Sequence, residues 1–60
     1  MYYTLELIKR VINNYFEIGD RFDSEAGSIY INKDGILTWE YSEAPYEIMA
    51  GDELRWEKVY

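Results

Sequence analysis

"SIYINKDGILTWEY", Ser28 to Tyr41, holds two runs of period-two alternation joined by a turn signal. In the first run Ile29 and Ile31 alternate with Ser28, Tyr30 and Asn32; in the second Leu37, Trp39 and Tyr41 alternate with Ile36, Thr38 and Glu40. Side chains at that spacing fall on opposite faces of an extended chain, so each run reads as a strand with one apolar face. Between them "NKDG" puts Gly35 where a short hairpin loop needs a residue that tolerates positive φ. An antiparallel hairpin is expected.

Upstream, "TLELIKRVINNYF" spaces Leu5, Ile8, Ile12 and then Tyr15 or Phe16 as an amphipathic helix, with Glu6, Lys9, Arg10, Asn13 and Asn14 on other faces. Thr4 is the expected N-cap, Tyr3 and Ile8 then occupy the two positions of a hydrophobic staple, and Glu6 can pair with Lys9 or Arg10 one turn on. Asn13-Asn14, followed by Gly19-Asp20, marks the end of the helix. "GDRF" admits a short further strand before Asp23. Downstream, "SEAPYEIMAGD" fits two conformations: Pro45 suits a first helical turn, whereas Tyr46, Ile48 and Ala50 alternate like a strand. One helical turn ending near Gly51 is the expectation. The closing "LRWEKVY" reads as a last strand, with Leu54 and Trp56 on one face, Val59 on the other, and a twist or bulge between them. The pattern predicts a single α+β domain over residues 1–60, one N-terminal helix packed on a small curled antiparallel sheet of three to five strands.

At 60 residues the chain lies near the lower limit for unaided folding, so assembly into an oligomer would add useful buried area. It has no cysteine and no histidine, which removes disulfides, thiolate nucleophiles, zinc sites built on those residues and any imidazole base. No run approaches the roughly 18 apolar residues of a membrane span, and the first residues lack the order of a signal peptide. A cytoplasmic protein is expected. Twelve acidic residues against six basic ones give a formal net charge of −6 and a pI of about 4.3. Such a charge disfavours direct contact with nucleic acid or anionic lipid. It suits solubility, or competition for a basic cleft that normally holds nucleic acid.

Within "DRFDSEAG", Asp20, Asp23 and Glu25 lie close enough in sequence to offer oxygens to a hard cation, but the alternating order and closing glutamate of a calcium loop are missing. A solvated loop, with no metal and no cofactor, is expected. Glu40, Glu43, Glu47 and Glu57 offer carboxylates for glycoside hydrolysis, yet no spacing singles out an acid and a base, and so small a domain leaves little room for a deep cleft. The residues do not read as those of an enzyme. Aromatic rings interleaved with arginines suit another task, stacking on a base while guanidinium groups hold phosphates. Arg21, Tyr30, Trp39, Tyr41, Arg55 and Trp56 are the candidates, although Trp39 and Trp56 sit at strand centres, where tryptophan more often belongs to the core.

The order Phe22, Gly27-Ser28-Ile29-Tyr30, Asp34-Gly35, Trp39, Ser42, Met49-Ala50, Asp52 and Trp56-Glu57-Lys58-Val59 spans most of the chain. In that order it resembles a small phage family that counters the bacterial Thoeris defence, the second type of Thoeris anti-defence protein. The resemblance implies a sponge, a host-cytoplasmic homo-oligomer that sequesters a cyclic nucleotide immune signal without cleaving it. The rival reading is a protein inhibitor. In it Glu40, Glu43, Glu47, Asp52, Glu53 and Glu57 form an acidic surface that occupies the nucleic-acid or PAM-reading groove of a basic host defence nuclease, as anti-CRISPR proteins do.

Overall fold

The computed structural model describes residues 1–48 and 51–60. In chain order the elements are β1 (Tyr2–Tyr3), α1 (Thr4–Ile12), β2 (Arg21–Ser24), β3 (Gly27–Ile31), β4 (Leu37–Trp39) and β5 (Arg55–Val59). The expected hairpin is β3–β4, an antiparallel ladder that sets Ile29 against Trp39 and Ile31 against Leu37. Its turn is organised by one side chain: Asn32 Oδ1 accepts the N–H groups of Asp34 at 2.9 Å and Ile36 at 3.0 Å. Gly35 takes the positive φ, +79°, that its place in the turn requires.

Strand β2 precedes β3 across a tight turn in which Ser24 Oγ accepts the Ala26 N–H at 3.1 Å and donates to the Gly27 carbonyl at 3.2 Å. The segment expected as an acidic loop is therefore a strand and a turn, with Asp20 before β2, Asp23 inside it and Glu25 in the turn. Gly27 has φ +132°, and a Cβ there would lie 3.3 Å from Cζ3 of Trp39. Gly27→Ala therefore meets backbone strain and a ring edge together, and a destabilisation of about 2 kcal/mol is expected. Urea unfolding of the variant measures it; a change within about 0.5 kcal/mol would show that the turn relaxes freely.

All five strands form one antiparallel sheet in the order β1-β5-β2-β3-β4. The last strand is thus inserted between the first two. Its pairings with β1 and β2 run in continuous register, without the bulge that the sequence admitted. Because cross-strand partners share a face, Phe22, Ile29, Trp39 and Trp56 lie on the helix side of the sheet. The other face carries Tyr3, Arg21, Asp23, Tyr30, Arg55, Glu57 and Val59. Lys58, the cross-strand partner of Phe22, is on the helix side, and its ammonium lies 3.9 Å from Asp20 and 4.2 Å from the Tyr60 ring centroid.

Residues 43–48 do not form the expected helical turn. The Trp39 N–H donates to the Ala44 carbonyl at 2.8 Å, the Tyr46 N–H donates to the Leu37 carbonyl at 2.9 Å, and Thr38 bridges Pro45. This segment covers the edge of β4, whose backbone groups would otherwise lack partners. Proline suits that edge because it has no N–H to leave unpaired. Met49 and Ala50 lie outside the described residues.

The helix also departs from expectation in the face it buries. Leu7 is 0 % exposed, and Ile8, Val11 and Phe16 pack beside it, whereas Leu5 is 56 % and Ile12 71 % exposed. Positions 4, 7, 8 and 11 match helical spacing as well as 5, 8 and 12 do, so periodicity left both stripes open. Phe16, not Tyr15, enters the core, edge-on to Tyr2 at 5.7 Å and to Phe22 at 4.9 Å. Glu6 pairs with Arg10 at 3.4 Å. The helix ends where Asn14 adopts φ +61°, with its N–H on the Val11 carbonyl and the Tyr15 N–H on the Arg10 carbonyl, the paired bonds of a Schellman ending. Among the described residues no helix is long and apolar enough to cross a membrane.

Candidate functional site

Trp56 sits at the centre of the fold, 0 % exposed, and its indole needs a hydrogen-bond acceptor. Thr4 supplies it: Trp56 Nε1 donates to Thr4 Oγ1 at 2.8 Å, and that hydroxyl donates in turn to Asp52 Oδ1 at 2.9 Å. Thr4 is therefore no N-cap. It lies inside the first turn, Tyr3 holds the cap position without a side-chain bond, and the threonine hydroxyl joins the helix start to the C-terminal strand. Tyr3, half exposed, does not serve as the apolar residue of a staple.

Asp52 collects two further donors, the Leu54 N–H at 3.0 Å and the Tyr46 hydroxyl. Partial burial pushes its carboxyl up, but the hydrogen bonds from Tyr46, the Leu54 N–H and Thr4 outweigh this and hold it below the ordinary aspartate pKa of 3.8. Tyr46 shows the reverse effect. Burial, reinforced by donation to Asp52, pushes its phenol up to about 12, so it stays a donor across the neutral range.

This network fixes the rings above it. Tyr46 is edge-on to Trp56 at 5.4 Å and to Trp39 at 5.1 Å, and Trp39 meets Tyr41 at 5.4 Å. Trp39, Tyr46, Ala26 and Leu54 line a cleft of about 480 Å³. Among the described residues its remaining lining is Glu25, Glu47, Gly51, Asp52 and Glu53, with no lysine or arginine. Among the described residues it is built by the β2–β3 turn, β4, the Tyr46–Glu47 edge segment and the approach to β5.

The six aromatic and basic candidates do not converge. Trp56 is core and presents no ring to a ligand. Arg21 stands directly across from Tyr30 on the helix-free face, but its Nε lies 3.5 Å from Glu40 and 3.9 Å from Asp23. Arg55 is four residues along β5 from Val59, the partner of Arg21, hence about 13 Å away at the rise of a strand. Its guanidinium lies over the Tyr3 ring at 5.4 Å. Trp39 and Tyr41 are together, and Tyr41 is 77 % exposed.

The acidic candidates divide as well. Glu47, Asp52 and Glu53 surround the cleft, and Asp52 is committed to its internal donors. Glu40 neutralises Arg21, Glu43 closes the turn after β4 with φ +60°, and Glu57 stands opposite Asp23. Like charges directly opposed across a ladder cost stability. Ala26, Tyr46, Gly51 and Leu54 contribute to the cleft without having been singled out as binding residues, and Glu25 had been weighed only as an oxygen donor to a cation. The strand-like alternation of Tyr46 and Ile48 was the one signal that pointed to the edge segment.

No family model matches the chain, and neither the curated proteins nor the solved structures contain a match to it.

Proposed function

We propose that the protein is a non-enzymatic binding domain that presents an acidic face to a basic groove on a partner protein, the nucleic-acid-mimicking reading. The distribution of charge carries this reading. Among the described residues the four ion pairs engage Arg10, Arg21 and Lys58; Glu25, Glu43, Glu47, Glu53 and Glu57 have no ion-pair partner, and the cations left unpaired against them are Lys9, Lys33 and Arg55. A surface of this kind steers toward Lys- and Arg-lined grooves and binds less tightly as salt rises.

Sequestration of a cyclic nucleotide is the second reading, and the cross-strand pair of Arg21 and Tyr30 favours it. A pyrophosphate there would have to displace Glu40 and Asp23 from Arg21, with Arg55 too distant to help. That competition ranks it second.

The two readings separate by substitution and by ligand. In plasmid-cleavage assays with a panel of RNA-guided nucleases, Glu43→Lys with Glu47→Lys is expected to abolish inhibition, while Arg21→Ala and Tyr30→Ala leave it intact. A thermal-shift screen against cyclic dinucleotides, cyclic trinucleotides and cyclic ADP-ribose variants is expected to be flat. A rise of roughly 10 °C with one of them would establish sequestration instead.

A further inference from the structure

We propose that the cleft beside Trp39 receives the guanidinium group of an arginine from the partner, stacked on the exposed part of the indole with Glu25 and Glu53 as its carboxylate acceptors. The inference rests on the acidic-face reading and names the chemistry recognised at its centre. A cavity of about 480 Å³ admits a long side chain, and its composition selects the kind. Among the described residues Trp39 and Tyr46 supply ring surface, Ala26 and Leu54 add apolar area, and the charged residues of the lining are all acidic. An anion is repelled there, and a neutral apolar group would make no use of the exposed carboxylates beside it.

Among cations the site favours the planar one. An ammonium is compact and strongly hydrated, and it would lose water against Ala26 and Leu54 without matching contacts. A guanidinium is weakly hydrated, stacks flat on an indole and offers a fork of N–H donors to carboxylates at its edge. Glu25 and Glu53 are exposed and have no ion-pair partner among the described residues. Asp52 is not an acceptor, because its oxygens already take the Thr4, Tyr46 and Leu54 donors. Its role is to hold Tyr46 as a wall. The nearby Arg55 borders the same two glutamates but leans on Tyr3, more than an ion-pair distance from either, so the chain's own guanidinium does not fill the place.

The two tryptophans allow a direct test. The full chain, labelled with nitrogen-15, is titrated with nona-arginine and with nona-lysine at low salt, and the two indole N–H signals are followed. Nona-arginine is expected to bind about tenfold more tightly, a margin within the range of cation–π contacts, and to move the Trp39 signal while the Trp56 signal, bonded to Thr4, stays in place. Glu25→Gln combined with Glu53→Gln, both at exposed positions, is expected to remove the preference without changing the fold by circular dichroism. Trp39→Leu is expected to remove it too, but it disturbs the ring cluster, so the glutamate pair decides. Equal affinity for the two peptides, or an unmoved Trp39 signal, overturns the cleft assignment and leaves the acidic-face reading standing. If neither peptide binds, both fall.

Discussion

Trp56→Ala is expected to leave the chain without a cooperative unfolding transition at 25 °C. Truncating a buried tryptophan costs about 3–5 kcal/mol, and a domain of this length has only about 3–9 kcal/mol in total. The indole is fully enclosed, touches Trp39 and Tyr46, and donates to Thr4, so its loss opens a void and strips the helix start of its link to β5. Trp56→Phe separates these contributions. It retains most of the apolar volume but removes the N–H donor, and a loss of about 1–2 kcal/mol is expected with folding preserved. Urea titration followed by circular dichroism reads both variants. A Trp56→Ala protein that unfolds cooperatively near the wild-type midpoint would mean that the ring is not the centre of this core.

The second large effect lies at Asp52. Asp52→Ala removes the acceptor shared by the Thr4 hydroxyl, the Tyr46 hydroxyl and the Leu54 N–H, and a loss of about 3 kcal/mol is expected. The pH dependence gives a sharper signature. The folded-state pKa of Asp52 is lowered, so its contribution is fully present above the ordinary value of 3.8 and is lost as pH falls through the lower folded value. Thermal midpoints of wild type and Asp52→Asn should therefore differ near neutrality and converge in acid. Tyr46 acts with the opposite sign. Its folded pKa of about 12 lies above the ordinary 10.0, so its contribution is full below pH 10.0 and disappears as pH rises toward 12. The stability gap between wild type and Tyr46→Phe should close over that alkaline window. A gap independent of pH at both ends would mean that Asp52 and Tyr46 are not joined as described.

These two residues also mark the limit of what a linear reading reaches. The role of Asp52 depends on Thr4, 48 positions away, and that of Trp56 on the same threonine, 52 positions away. Thr4 carries a strong local signal for a helix cap, and the tertiary bond overrides it. A hydroxyl beside a buried indole and a carboxylate gains more than one placed in solvent at a helix end. In the same structure Leu7 and Val11 face the sheet and Leu5 and Ile12 face water. For the segment after Ser42, proline and alternation gave opposite local signals, and the unpaired edge of β4 decided between them.

The sequence by itself determined the β3–β4 hairpin, the helix and its ending at Asn13-Asn14, and the α+β class, because each depends on contacts among residues a few positions apart. It also excluded imidazole and thiolate chemistry, since no histidine or cysteine is present. Only the tertiary structure decided which helix face is buried, that Trp56 is core while Trp39 lines a cleft, and that Arg21 and Arg55 stay apart. Those outcomes follow from β5 closing between β1 and β2, a long-range pairing that sets the approach to β5 beside the β2–β3 turn at one cleft and has no periodic signature in the sequence.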